Sequence, residues 1–272
     1  MEEHGRLDRG DGVELAWIKA AGRSPTVVFL PGFGSDMQGE KATHLAGFCA
    51  TRGTALLRLD YSGHGASGGR FEEGAIGRWA EDALAVVDRK TEGKLVLVGS
   101  SMGGWIALLV ALRRPERLAG LIGIAAAPDF TENLMWQAMT PAEQTSLLAE
   151  GSFTVEQGAE APLVITRRLI EDGRRHLLLG GAIPIVCPVR LLHGQRDAVV
   201  PWQTAVRTVA RLEGDDVQVT LIKDGEHRLS RPQDLRLLSS TLAELLGKNG
   251  GEPGAKVRIA PLKAEDRAGL PG

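Results

Sequence analysis

The ten residues Leu95-Val96-Leu97-Val98-Gly99-Ser100-Ser101-Met102-Gly103-Gly104 constrain this chain more than any others. An apolar run suited to a buried strand leads into G-x-S-x-G, with Gly99, Ser101 and Gly103 at the fixed positions. A second apolar run, Trp105–Leu112, has the length of a helix. Strand, sharp turn and helix in that order lift the hydroxyl of Ser101 clear of a sheet and set it at a helix N-terminus. The glycines remove Cβ atoms that would clash in so tight a turn. The backbone N–H of Met102 then points at negative charge developing on a bound carbonyl oxygen. Ser100, the neighbouring hydroxyl, falls off the pattern.

The remaining chain supplies the sheet that such a turn needs. Strand candidates are Val13–Ile18, Thr26–Leu30, Thr54–Leu59, Leu95–Val98, Leu118–Ala125, Val189–Leu192 and Val217–Ile222. Several are continuous apolar runs, as strands covered on both faces should be. Helical segments lie between them near Lys41–Arg52, Gly74–Lys90, Met102–Arg113, Trp202–Leu212 and Pro232–Leu246. Ser230 with Gln233 three residues on has the form of a capping box before the last helix. This alternation predicts an α/β fold with a mostly parallel sheet and helices on both faces. It breaks once, between Pro128 and Pro184, where no strand is evident. Thr140-Pro141-Ala142-Glu143 starts a helix there, and Ala161–Leu179 has room for one or two more. The expected organisation is a core of residues 1–127 and 185–247, with a helical cap insertion at 128–184 over the carboxyl ends of the strands. The Gly- and Pro-rich segment 248–272 reads as a loosely ordered tail.

A serine hydroxyl needs a base, and the base needs an orienting acid. On this topology the chain order is serine, acid, histidine. Asp197 follows the Val189–Leu192 strand and His227 follows the Val217–Ile222 strand, so both fall in loops at the ligand-binding edge of the sheet. Asp129, after the Leu118–Ala125 strand, competes for the acid role. His193 is better suited to bracing its loop beside Gly194. A second oxyanion donor is expected from Pro31-Gly32-Phe33-Gly34-Ser35, from the N–H of Phe33 or else of Gly34. Leu134, Met135, Trp136 and Met139 could line an acyl pocket or equally form an ordinary cap core; Trp136 and Met139, with Gly34, are the candidate substrate contacts.

Several function classes lack support. The net charge of −2 argues against a nucleic-acid partner. No apolar run reaches the ~18 residues of a spanning helix, so stable membrane insertion is not expected. The charged start Met1-Glu2-Glu3-His4-Gly5-Arg6 does not resemble a secretory signal, and a cytoplasmic location is the expectation. Gly63-His64-Gly65-Ala66-Ser67-Gly68 matches G-x-G-x-x-G, but Asp60-Tyr61-Ser62 separates it from the strand and no helix opens at it. It reads as a glycine turn bracing the site. No metal-ligand or nucleotide motif occurs, so neither a cofactor nor a metal is expected.

These residues resemble the α/β-hydrolase superfamily of serine hydrolases. Further segments are Val28-Phe29-Leu30-Pro31-Gly32-Phe33, Asp60-Tyr61-Ser62-Gly63, Cys187-Pro188-Val189-Arg190-Leu191-Leu192-His193-Gly194 and Val200-Pro201-Trp202. With the Ser101 turn, they are similar to the mitochondrial acyl-glucuronide esterase and palmitoyl-protein thioesterase subgroup and its bacterial relatives. The resemblance implies an eight-stranded sheet with a small helical cap, and hydrolysis of activated acyl esters or thioesters. Carried over by position, it makes Ser101 the nucleophile, Asp197 the acid and His227 the base.

The expected function is therefore hydrolysis of a carboxylic ester or thioester through an acyl-enzyme, with oxyanion donors Phe33 and Met102. The expected partner is a small-molecule acyl ester or thioester, met by a monomer or a homodimer. Carbon–carbon bond hydrolysis by the same triad is one alternative, and a non-catalytic ligand sensor on the same fold is another.

Overall fold

The structure, a computed structural model, describes residues 1–155 and 163–249. One sheet organises the chain. In chain order its strands are β1 (Glu2–Asp8), β2 (Glu14–Ala20), β3 (Arg23–Leu30), β4 (Thr54–Leu59), β5 (Leu95–Ser100) and β6 (Leu118–Ile124). A small hairpin, β7 (Ser152–Val155) with β8 (Leu163–Thr166), stands apart, and β9 (Val189–Gly194) and β10 (Val217–Ile222) complete the main sheet. Its spatial order is β1-β2-β4-β3-β5-β6-β9-β10. Pairing is parallel from β4 through to β10 and antiparallel at the β1–β2 and β2–β4 junctions. This is the α/β-hydrolase sheet.

The central strands are buried along their whole length because helices cover both faces. Side chains alternate between two cores, as the pleat requires. Leu95 and Leu97 point to one face with Val28 and Leu30, where α2 (Ile76–Lys90) and α3 (Met102–Arg113) pack. Val96 and Val98 point to the other with Val27 and Phe29, against α1 (Glu40–Arg52) and α7 (Pro232–Asn249). A further helix, α6 (Gln203–Val209), joins β9 to β10.

The structure amends the sequence reading in four places. β1 is an additional strand: Glu2-Glu3-His4-Gly5-Arg6-Leu7-Asp8 is polar and mostly exposed, and it is held by its ladder to β2 at the sheet edge and by Arg58, which pairs with Glu2 at 2.6 Å. The 128–184 segment is not purely helical, since β7 and β8 pair within it beside α4 (Pro141–Glu150) and α5 (Arg167–Gly173). Four-residue strands give no readable periodicity. The Thr140 capping box does form: Glu143 N–H donates to Thr140 Oγ1 at 3.3 Å, and Thr140 N–H to Glu143 Oε2 at 2.7 Å. The Ser230–Gln233 box does not. Ser230 Oγ donates to Arg228 O, while Asp234 accepts the Arg231 N–H at 3.1 Å at the start of α7. Finally, α7 continues to Asn249, so residues 248 and 249 are not tail; the rest of the expected tail lies outside the described residues. No described helix is long and apolar enough to cross a membrane.

Candidate active site

Ser101 sits between β5 and α3 with φ 54° and ψ −119°, a backbone conformation that costs energy for any residue with a Cβ. The surroundings enforce it. Ser101 N–H donates to Ile124 O at 2.9 Å, and Ser101 O accepts the Ala127 N–H at 3.1 Å. A Cβ on Gly103 would collide with the carbonyls of Leu30 and Pro31, so only glycine lets α3 start this close to β3. Met102 opens α3, and its N–H therefore precedes the intrahelical ladder.

Asp197 lies just past β9. Its side chain is fully enclosed, and Oδ1 accepts the N–H groups of Val199 and Val200 at 2.8 Å each. The loop after β10 is drawn against it. Gln195 N–H donates to Ile222 O at 2.8 Å, and Arg196 N–H to Gly225 O at 2.9 Å. Gly194 makes this contact feasible, since a Cβ there would meet the Gly225 carbonyl. His227 thereby spans two partners. Its Nδ1 is 2.7 Å from Asp197 Oδ2, and its Nε2 is 3.1 Å from Ser101 Oγ. Burial opposes ionisation of Asp197, but bonds from His193, His227 and the Val200 N–H outweigh it and hold the carboxyl well below the usual range. A carboxylate so placed fixes the His227 tautomer, with the proton on Nδ1 and a lone pair on Nε2 facing the serine.

The 31–37 loop faces Ser101 from the end of β3. Gly34 N–H is already taken, donating to His64 Nε2 at 3.2 Å, whereas Phe33 N–H has no hydrogen-bond partner among the described residues. This geometry favours Phe33 over Gly34 as a donor. The Phe33 ring is pinned by Phe71, Trp79 and Phe130, with centroids 4.9, 5.7 and 5.8 Å away. His64 stands in the glycine turn after β4, where its Nδ1 is 3.3 Å from Ser62 O. Burial among Tyr61, Phe71 and Trp79 pushes its pKa down to about 4, so it stays a neutral acceptor for Gly34. Asp60 accepts the Met37 N–H at 2.7 Å and the Ala66 N–H at 2.8 Å, tying both loops together.

A cavity of about 740 Å³ opens at Ser101, Met102 and His227. The cap gives it an apolar wall of Phe130, Leu134 and Met135, and the segment leading into α1 gives it a polar one that includes Asp36, Glu40 and Lys41. Gly34 lies in the lining, but Trp136 and Met139 do not. Those two pack instead on the cap's own cluster of Leu147, Ile165 and Ile170, and Arg174 covers the Trp136 ring at 4.5 Å. The turn at 131–135 points Leu134 and Met135 to the cavity and rotates Trp136 away, an orientation that residue spacing alone did not reveal. Asp129, the rival acid, is also spoken for: its carboxylate accepts the N–H groups of Leu178 and Leu179 at 2.8 Å each and anchors the end of the cap.

Lys41 escaped the sequence reading. Its Nζ donates to Arg228 O at 2.6 Å, which ties α1 to the His227 loop, and burial lowers its pKa to about 8. A lysine in the first turn of an amphipathic helix carries no signal for a partner 187 residues away.

The chain is also similar to known proteins along most of its length. A family model described as serine aminopeptidase, S33 (Hydrolase_4) matches residues 23–161. Mouse mitochondrial palmitoyl-protein thioesterase ABHD10 is 38% identical over 244 residues, covering 89% of this chain and 82% of the mouse protein. The human protein of that name is 37% identical over 243 residues, covering 89% and 79%. Among solved structures, mouse α/β hydrolase domain-containing protein 10 superposes with a TM-score of 0.85 at 38% identity, covering 91% of this chain and 99% of that one. A hydrolase from Agrobacterium vitis S4 gives 0.85 at 40% identity, covering 90% and 98%. With the fold, the strained Ser101 turn and these likenesses in agreement, the chain belongs to the α/β-hydrolase family of serine hydrolases.

Proposed function

We propose that this enzyme hydrolyses small-molecule acyl esters or thioesters through an acyl-enzyme on Ser101. The observation that carries the reading is His227, which reaches Ser101 Oγ at 3.1 Å through Nε2 and Asp197 Oδ2 at 2.7 Å through Nδ1. His227 takes the serine proton as Oγ attacks the acyl carbon. The imidazolium that forms is held by Asp197, whose lowered pKa keeps it ionised. The N–H groups of Met102 and Phe33 receive the oxyanion. His227 then protonates the departing alkoxide or thiolate, and afterwards activates a water that releases the acid.

The relatives named as palmitoyl-protein thioesterases support an acyl substrate, and the apolar wall of Phe130, Leu134 and Met135 suits an acyl chain. No cofactor is required by this scheme.

The test is a fluorophosphonate probe with peptide mapping of the adduct. Labelling of Ser101, lost in Ser101→Ala, is expected, followed by turnover of matched esters and thioesters of increasing chain length. An adduct on another residue, or a folded protein that labels nowhere and binds acyl compounds without turnover, overturns the reading.

A further inference from the structure

Asp197 has a second histidine. Oδ2, the oxygen that His227 Nδ1 approaches to 2.7 Å, also lies 3.3 Å from Nε2 of His193. That same Nε2 is 2.9 Å from the carbonyl oxygen of Val200. A ring nitrogen facing a carbonyl and a carboxylate together carries a proton, because a lone pair there would be repelled by both. The other nitrogen, Nδ1, is buried without a hydrogen-bond partner among the described residues. Protonating it would bury an N–H with no acceptor, which is unfavourable. His193 is therefore a neutral Nε2–H imidazole wedged under the acid, with its side chain only 1% exposed.

We propose that His193 is a positioning residue that sets the basicity of Asp197 Oδ2 and so governs how strongly the acid holds protonated His227. The inference rests on the Ser101–His227–Asp197 reading. The Nε2–H group bonds to Val200 O and stands 3.3 Å from Oδ2, and it does two things. Through Val200 it locks the turn whose amides grip Oδ1. By its positive end lying near Oδ2 it offsets part of the negative charge that His227 would otherwise feel in full. Without it, Oδ2 is a stronger acceptor, the imidazolium is over-stabilised, and more of the enzyme carries a protonated, inactive His227 in mild acid. The low pKa of Asp197, to which His193 contributes, agrees with this placement. The other charged groups near the pair are Arg196 beside Asp197, Glu226 and Arg228 flanking His227, and Asp36, Glu40 and Lys41 in the cavity wall. All are left intact in the test, so a shift reads His193.

The experiment compares the pH dependence of kcat/KM on a p-nitrophenyl ester for wild type, His193→Phe and His193→Gln. The phenylalanine keeps the ring and removes the donor. The glutamine restores an N–H near the Nε2 position. The acidic limb is expected to move to higher pH by about half a unit or more in His193→Phe and to return toward wild type in His193→Gln. A limb that does not move in His193→Phe, or that moves equally in both variants, overturns the proposal. In parallel, ¹H–¹⁵N correlation of the ring nitrogens in wild type titrates both histidines. A neutral Nε2–H His193 throughout the His227 transition is expected; a proton on Nδ1 at any point in that transition overturns the assignment even where His193→Phe fails to fold. Since this readout needs no turnover, failure of the ester-hydrolase reading would be seen separately, as a titrating His227 without Ser101 labelling.

Discussion

The two structures that overhang Ser101 are built on opposite plans. The 31–37 loop contains no helix or strand, yet buried side chains from the 60–66 turn hold it at several points. Asp60 takes the Met37 N–H, His64 takes the Gly34 N–H, and Tyr61 O–H donates to Pro31 O at 3.2 Å. The cap has helices, a hairpin and an apolar cluster of its own. Its two ends are closed on each other by the Leu178 and Leu179 N–H groups on Asp129, and it is tied to the body by Gly77 N–H to Asp172 Oδ2 at 2.7 Å and Trp105 Nε1–H to the His176 carbonyl at 3.1 Å. The difference matches what the proposed function asks of each. Stabilising a developing charge demands donors fixed to within a few tenths of an ångström. Enclosing an acyl chain demands only apolar surface of about the right size, since a methylene more or less is worth about 1–3 kcal/mol.

Substitutions can break this contrast or sharpen it. The reference is His227→Ala, which should cut kcat/KM by on the order of 10⁴-fold or more in a stopped assay while the melting temperature holds. Next comes the loop. His64→Leu removes the acceptor for Gly34, and kcat should fall about 100-fold with KM little changed, as for one misplaced oxyanion donor. The contrast fails if KM rises instead. His64 also has a pH signature. Burial holds it neutral down to about pH 4, while in the unfolded chain it takes a proton below about 6.5. The unfolded state therefore binds more protons between those values, and stability should decline as pH falls from 6.5 to 4, by roughly 3 kcal/mol. Urea titrations across that range should show a shallower decline in His64→Leu.

The cap should respond in stability rather than in chemistry. Leu147→Ala opens the small cluster it forms with Ile165 and Ile170, at a cost of about 2 kcal/mol, read as faster amide exchange confined to the cap. Turnover of an acetyl ester should stay near wild type. A loss comparable to His64→Leu would show that the cap, too, positions the reacting groups. The smallest effect is expected from Met135→Ala in the cavity wall, which should shift the preferred acyl length with changes of at most about tenfold in kcat/KM between neighbours.

The same contrast explains what could be read from sequence. The β5–Ser101–α3 unit declares itself because strand, glycines and helix are contiguous, and the continuous apolar runs of the inner strands need no partner to be recognised. β1 was hidden because an edge strand with one ladder can be polar, and the cap hairpin because its strands are too short to show a period. Trp136 and Met139 looked like cavity residues from composition, yet the cap has a core of its own to fill. Lys41 left no mark, since its role is a hydrogen bond to a backbone carbonyl 187 residues away.

The sequence by itself determined the inner strands, the turn that strains Ser101, and the loops on which Asp197 and His227 ride. Each of these depends on residues that are neighbours along the chain, where propensity and sterics act directly. Only the tertiary structure decided which nitrogen of His227 meets Ser101, which amide of the 31–37 loop is left open, and that a second histidine reaches Asp197. Those outcomes turn on distances of about 3 Å between groups as many as 126 residues apart. Hydrogen bonds fall off over tenths of an ångström, so they are settled by how β3, β5, β9 and β10 stack side by side.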